Sequence, residues 1–140
     1  MTTSKILIDS SYLFAFFDAK NTKHAEAVVV ADLYSGQFVI PDVVLTEVAY
    51  LFNREGGVPA VLQFLDRLTT MQPQLEPVSV SDLMRAREIM TTYGDSKLDF
   101  VDCCVMVLSE RLNVTRVCTF DRRDFSIFRP AHYDYLELLP

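Results

Sequence analysis

The chain has 140 residues, half of them hydrophobic, with 10 Phe and 6 Tyr, which suits a single domain over residues 1–140 and argues against long disorder. Thirteen basic residues against 19 acidic give a formal net charge of -6, which excludes a generally basic grip on nucleic acid but not a local patch or a metal-mediated contact. The three cysteines, Cys103, Cys104 and Cys118, have no CxxC spacing, and with only two His a disulfide framework or zinc cluster is not expected. The adjacent pair reads as small buried hydrophobes, as in a reducing compartment.

The opening "MTTSKILIDSS" has no basic segment ahead of a long apolar core, so no signal peptide is expected. "KILID", residues 5–9, reads as a short buried strand ending in an acid. Asp9, Ser10 and Ser11 are all capping residue types, and a helix follows over about residues 11–19. "NTKHAEAVVVADLYSG" predicts a second helix, with Thr22 as its cap and Gly36 as its stop.

"FVIP" predicts the second strand, and "DVVLTEVAYLFN" a helix with Val44, Val48 and Leu51 on one face and Glu47 beside it. "REGG" interrupts the pattern before "VPAVLQFLDRLTT", whose expected packing residues are Leu62, Leu65 and Phe64. The two segments read as a helical hairpin at an edge of the sheet. Its aromatic and aliphatic content, with Phe52 and Phe64 the residues to test, suits a surface for a partner protein or a second copy over about residues 43–70, or equally ordinary core.

"LEPVSV" is strand-like, and Pro77 places it at an edge or a strand start. Ser81 or Asp82 should open the next helix, with Leu83, Ala86 and Met90 on one side. After the loop "DSKLD", the run "FVDCCVMVLSERLN" predicts the most apolar and most central helix. "TRVCTF" gives a strand over about residues 116–119, and the tail could add a short edge strand. Short apolar strands alternating with helices predict a three-layer α/β/α sandwich around a central, mainly parallel sheet. No apolar run is long enough to span a bilayer, so a cytoplasmic protein is expected.

Two carboxylates follow strands, Asp9 after the first and Asp121 after the last clear one. Open parallel sheets place their sites outside the carboxyl ends of the strands. Glu47 and Asp102, early in two helices, fall within reach of the same end. Crowded carboxylates repel and take up protons, and a hard divalent cation such as Mg²⁺ or Mn²⁺ removes that conflict. Each acid also has a plainer reading. Asp9 suits a cap, Asp99 caps the helix starting at Phe100, Asp102 then suits the helix dipole, and Asp121 and Asp124 suit a turn. Ser10, Ser11 and Thr119 are placed to hold carboxylates or waters. His24 and His132 read as isolated surface residues. Arg116, Arg122, Arg123 and Arg129 form the one local basic patch late in the chain, either a phosphate contact or a solvated loop. No GxGxxG or GxxxxGK[ST] loop is present.

Four segments together resemble the PIN domain, in particular the VapC-type toxins of bacterial toxin–antitoxin pairs. They are "ILIDSSYLFAFFD", "IPDVVLTEVAYLF", "LDFVDCCVMVLSERLNV" and "RVCTFDRRDFSIFRP", in the family's order and over nearly the whole chain. The resemblance implies a metal-dependent endoribonuclease, using Mg²⁺ or Mn²⁺, that cuts structured RNA such as transfer or ribosomal RNA. It implies metal ligation and catalysis by Asp9, Glu47, Asp102 and Asp121, with Asp99 accessory, with Asp99 or Asp124 able to share the work of the fourth acid, and with Ser10 and Thr119 behind them. It also implies a homodimer and a cognate antitoxin that blocks the site. Two rival readings remain at this point. One is a non-catalytic protein-binding module on the same fold. The other is a different metal-dependent phosphoryl-transfer enzyme, although "DSS" lacks the second acid of an Asp-x-Asp start.

Overall fold

The computed structural model describes residues 4–140. The leader reading of residues 1–3 lies outside them. Five short strands form one sheet in the order β3-β2-β1-β4-β5. They are β1 (Ile6–Ile8), β2 (Phe38–Pro41), β3 (Gln74–Glu76), β4 (Arg116–Cys118) and β5 (Glu137–Leu139), and every neighbouring pair is parallel. The weakly marked tail is thus a real edge strand. Parallel pairing requires crossovers, and the helices supply them.

On one side pack α1 (Ser10–Phe17), α2 (His24–Leu33) and α3 (Asp42–Thr70); on the other are α4 (Val80–Thr92) and α5 (Phe100–Arg111), with α6 (Arg123–Ile127) beside α5. The expected α/β/α sandwich is therefore the observed one. A 3₁₀ turn, Gly94–Ser96, precedes α5.

Helix α5 is the central one. Every residue from Cys103 to Ser109 is buried, and all three cysteines are free and buried. The strand residues Ile6, Leu7 and Val117 are fully covered beneath the helices. On the other face Tyr12 is buried, and its hydroxyl donates to the Ala27 carbonyl at 2.6 Å, which ties α1 to α2. Phe14, Phe17, Phe52 and Phe64 interlock between α1 and α3, with ring centroids 4.8–5.3 Å apart. Such pairs add to plain area burial.

Several local expectations are corrected. Helix α3 breaks at Gly57, where φ 68° and ψ -165° suit only glycine, and Pro59 falls in the first turn of the second segment, where its missing N–H does no harm. Beyond that break Phe64 and Leu68 are buried while Leu62 and Leu65 are exposed. Phe52 and Phe64 are accordingly core residues, and the apolar surface of α3 consists of Tyr50, Val58, Leu62 and Leu65. Helix α4 starts earlier than expected, with Ser79 and Asp82 forming a capping box. Its buried residues are Asp82, Ala86 and Ile89, not Leu83 and Met90. Thr22 does not cap α2, whose preceding residue Lys23 makes no side-chain cap bond. Both histidines are half-buried: His24 Nδ1 lies 2.9 Å from the Ala15 carbonyl and His132 Nε2 lies 2.8 Å from that of Val114.

Candidate active site

The carboxyl ends of β1 and β4 lie side by side, because Ile8 pairs with Cys118 in register. That pairing brings Asp9 next to Thr119 and leads on to Asp121. Across from them stand the second turn of α3, which carries Glu47, and the first turn of α5, which carries Asp102. The result is a cleft of about 780 Å³ lined by Asp9, Ser10, Ser11, Glu47, Asp99, Asp102, Asp121 and Asp124, with Thr46, Tyr50 and Leu51 completing its wall. All four acids singled out in the sequence, and the accessory Asp99, line this one cleft.

Asp9 is 2% exposed and does two jobs. As the N-cap of α1 it accepts from the Tyr12 amide at 2.9 Å. It also accepts from the hydroxyls of Ser11, at 2.9 Å, and of Thr119. Burial raises its pKa from 3.8 to about 6 and the Asp121 charge adds to this, while the bonds from Thr119, Tyr12 and Ser11 pull it down.

Ser11 and Thr119 form the floor that fixes this carboxylate. Ser11 Oγ also accepts from the Phe120 amide at 2.9 Å, and Thr119 Oγ1 from the Asp121 amide at 3.0 Å. Each hydroxyl therefore links β1 to the loop after β4. Glu47 Oε1 accepts from the Ser10 hydroxyl, which couples α3 to the start of α1.

Asp102 is half-buried, and its carboxyl is held well above the usual carboxylate range. Burial is the main cause, followed by the charge of Asp9, a hydrogen bond with Asp124, and the charges of Asp99 and Asp124. Asp99 does cap α5, accepting from the amides of Val101 and Asp102 at 3.1 and 3.2 Å. Asp124 is more than a turn residue. It is 7% exposed, accepts from the Asp99 amide at 3.0 Å, and pairs with Arg123 at 2.7 Å. It lies on α6, three residues after Asp121, which precedes that helix. Tyr50 and Thr46, one turn after and one residue before Glu47, were not anticipated as cleft residues.

The arginines divide. Arg116 sits at the amino end of β4, away from the cleft, bonded to Ser4 and Gln37 and lying over the Tyr34 ring. Arg123 lies beside the cleft through Asp124. Arg122 and Arg129 line a separate groove across α6.

Among the described residues the side-chain donors that line the cleft are all oxygens, and neither lysine nor arginine lines it. Among the described residues no three acidic, imidazole or thiol side chains form a ready-made cage. A hard ion such as Mg²⁺ does not need one, since it commonly keeps several waters and takes only one or two carboxylates from the protein. The donor set fits such an ion.

Fold and site together define an α/β domain with an acid-lined cleft at the carboxyl end of a parallel sheet. The PIN domain family model matches residues 6–129. The chain is 32% identical over 135 residues to Ribonuclease VapC26 of Mycobacterium tuberculosis, covering 96% of this chain and 100% of that protein. The chain belongs to the PIN-domain family. Its fold is shared with the sarcin-ricin loop cleaving toxin VapC20 of Mycobacterium tuberculosis (TM-score 0.81, 20% identity, 97% of this chain and 100% of that one). It is shared too with DNA-bound VapBC of Salmonella typhimurium (TM-score 0.72, 11% identity, 97% of each chain).

Proposed function

We propose that this chain is a Mg²⁺- or Mn²⁺-dependent endoribonuclease, the toxin of a toxin–antitoxin pair. The observation that carries the reading is the gathering of six carboxylates, two of them driven toward protonation, in a cleft that no cation-bearing side chain lines. Similarity to a ribonuclease of the same family supports the RNA substrate.

Asp9, Glu47, Asp102 and Asp121 would hold the ion, with Asp99 accessory. When bound, it supplies Lewis acidity and neutralises charge that develops on the phosphodiester. The chain's own residues do the positioning. Asp9 is fixed by Ser11, Thr119 and the first turn of α1. Glu47 is aimed by Ser10. Asp102 is presented at the first turn of α5, which Asp99 caps. The substrate is structured RNA, transfer or ribosomal. The partners are a cognate antitoxin and a second copy, and the exposed Tyr50, Val58, Leu62 and Leu65 on α3 offer them an apolar surface. The chain works in the cytoplasm; no described helix is long and apolar enough to cross a membrane.

Total cellular RNA incubated with antitoxin-free protein tests this, with Mg²⁺, with Mn²⁺ and with chelator, beside Asp102→Asn. Discrete fragments that require metal and vanish in the variant are expected. A folded protein that neither cleaves RNA nor binds metal would overturn the reading and leave a protein-binding module.

A further inference from the structure

Helix α6 separates two cavities of opposite character. Asp121 and Asp124 line the acid cleft on one side. On the other, Arg122, Ser126 and Arg129 line a groove of about 390 Å³ with Tyr135 and Glu137. Arg122 precedes α6 and Ser126 lies one turn on within it, Arg129 follows its extended C-cap Phe128, and Asp124 lies on the same short helix with Asp121 just ahead of it.

Both guanidinium groups are oriented by backbone acceptors. Arg122 Nη1 donates to the main-chain oxygen of Pro140, the last residue of the sequence, at 2.8 Å, and Arg129 Nη1 to the carbonyls of Ser126 and Phe128 at 2.8 and 3.1 Å. Among the described residues neither pairs with an Asp or Glu side chain, unlike Arg85, Arg111 and Arg123. Tyr135 keeps 60% of its surface exposed. Among the described residues Glu137 is the one carboxylate side chain lining the groove.

We propose that this groove binds an unpaired nucleotide of the RNA strand, close to the bond cut in the acid cleft. Arg122 and Arg129 hold phosphate and Tyr135 stacks under the base. The inference rests on the nuclease reading. An acid cleft contributes little to holding a polyanion apart from its ion, so the strand needs a grip beside it. Oriented guanidinium forks fit phosphate, and an exposed aromatic ring accepts any base. The groove's volume falls in the usual range for small-ligand clefts, roughly 300–1,000 Å³. Helix α6 with its side chains is roughly 10 Å across, so one short RNA segment touches both cavities.

The test uses the full chain carrying Asp102→Asn, which leaves the RNA intact. Its binding to a fluorescein-labelled, unstructured RNA of about 12 nucleotides is followed by anisotropy with Mg²⁺ present. The same RNA annealed to its complement is run in parallel. Tyr135→Ala should weaken single-strand binding about tenfold while Tyr135→Phe does not, with thermal melting unchanged. Arg129→Ala should weaken binding to single strand and duplex and lower the salt slope by about one.

Unchanged RNA binding in Tyr135→Ala and Arg129→Ala overturns the proposal. So does unchanged RNA binding together with lost antitoxin affinity, which would give the groove to the protein partner. Cleavage of cellular RNA by the chain without Asp102→Asn is scored separately. Its absence counts against the nuclease reading, whereas cleavage with a flat binding series removes only the groove.

Discussion

The two ends of α5 handle carboxylates in opposite ways. At its carboxyl end each acid has a guanidinium. Arg111 grips Asp82 through Nε and Nη2 at 2.9 and 3.0 Å and reaches Glu76 at 3.0 Å. Arg85 holds Glu110 at 2.8 and 3.0 Å. Burial by itself would lift the carboxyl groups of Asp82 and Glu110, but these forks outweigh it, helped by the Ser79 bonds on Asp82 and the Ala131 amide on Glu110, and both pKa values are lowered. At the amino end, among the described residues, Asp9, Asp99, Asp102 and Asp121 meet with no such partner, Arg123 serving Asp124 alone, and the buried Asp9 and half-buried Asp102 are raised. One residue type thus acts as glue where arginine accompanies it. Where arginine is withheld, burial and mutual repulsion push it toward its protonated form. The difference teaches that the net negative charge is a local property of the cleft and not a general surface feature.

The largest effect should come from removing one of these acids. Asp102→Asn should lower metal-dependent cleavage by more than about a hundredfold, the upper end for losing a group that merely supports a ligand. The same substitution should raise the melting temperature of the metal-free protein at pH 7, because it deletes a repelled, half-buried carboxylate. A lost activity accompanied by lower metal-free stability would break the comparison. Asp82→Ala, at the glued end, should do the reverse. It leaves cleavage intact and lowers stability by about 3 kcal/mol, through the lost capping box and the stranded Arg111 fork, as read by urea denaturation.

The convergence of Asp9, Glu47, Asp102 and Asp121 was legible in the sequence because a parallel sheet collects its strand ends on one side, whatever the strand order. The break in α3 was legible in "REGG". Helix faces were less so. In "VPAVLQFLDRLTT" both Leu62/Leu65 and Phe64/Leu68 satisfy a helical period, and only the aromatic partners on α1 decide for the second pair. The start of α4 was ambiguous between serines until Asp82, at the third position after Ser79, closed the box. Arg116 misled because closeness in sequence hid a strand. Three residues of β4 span about 10 Å and carry the chain from one end of the sheet to the other. The burial of Asp124 depended on how the loop after β4 folds back over α5, which no periodicity encodes.

Acidity sharpens the comparison further. Asp9 binds its proton more tightly folded than unfolded, so the stability it confers is present below pH 3.8 and is lost as pH rises through about 6, a swing of about 3 kcal/mol. Asp102 acts in the same direction at higher pH. Asp82 and Glu110 act oppositely, their contribution being present at neutral pH and lost as pH falls through their lowered values. In chelator, stability should therefore peak at mildly acidic pH and decline toward neutrality, and Mg²⁺ should flatten the decline. A metal-free curve that keeps rising to pH 8 would contradict the repulsion at the amino end of α5.

The smallest effect isolates one hydroxyl. Thr119 donates to Asp9 and accepts from the Asp121 amide, so it both restrains the pKa of Asp9 and ties two proposed ligands together. Thr119→Val keeps the shape, removes the donor and leaves Asp9 buried with one bond fewer. The carboxyl should then rise further, so less of it is ionised at pH 7 and the ion is held more weakly. Cleavage at pH 7 should fall roughly tenfold, the lower end for groups that support a ligand. Raising the pH or the Mg²⁺ concentration should recover part of it, because both refill the ionised, metal-loaded state. Thr119→Ser, which restores the hydroxyl, should behave like the parent chain. A loss in Thr119→Val that neither pH nor Mg²⁺ relieves would mean that the hydroxyl acts on packing between β4 and β1 and not on the charge of Asp9.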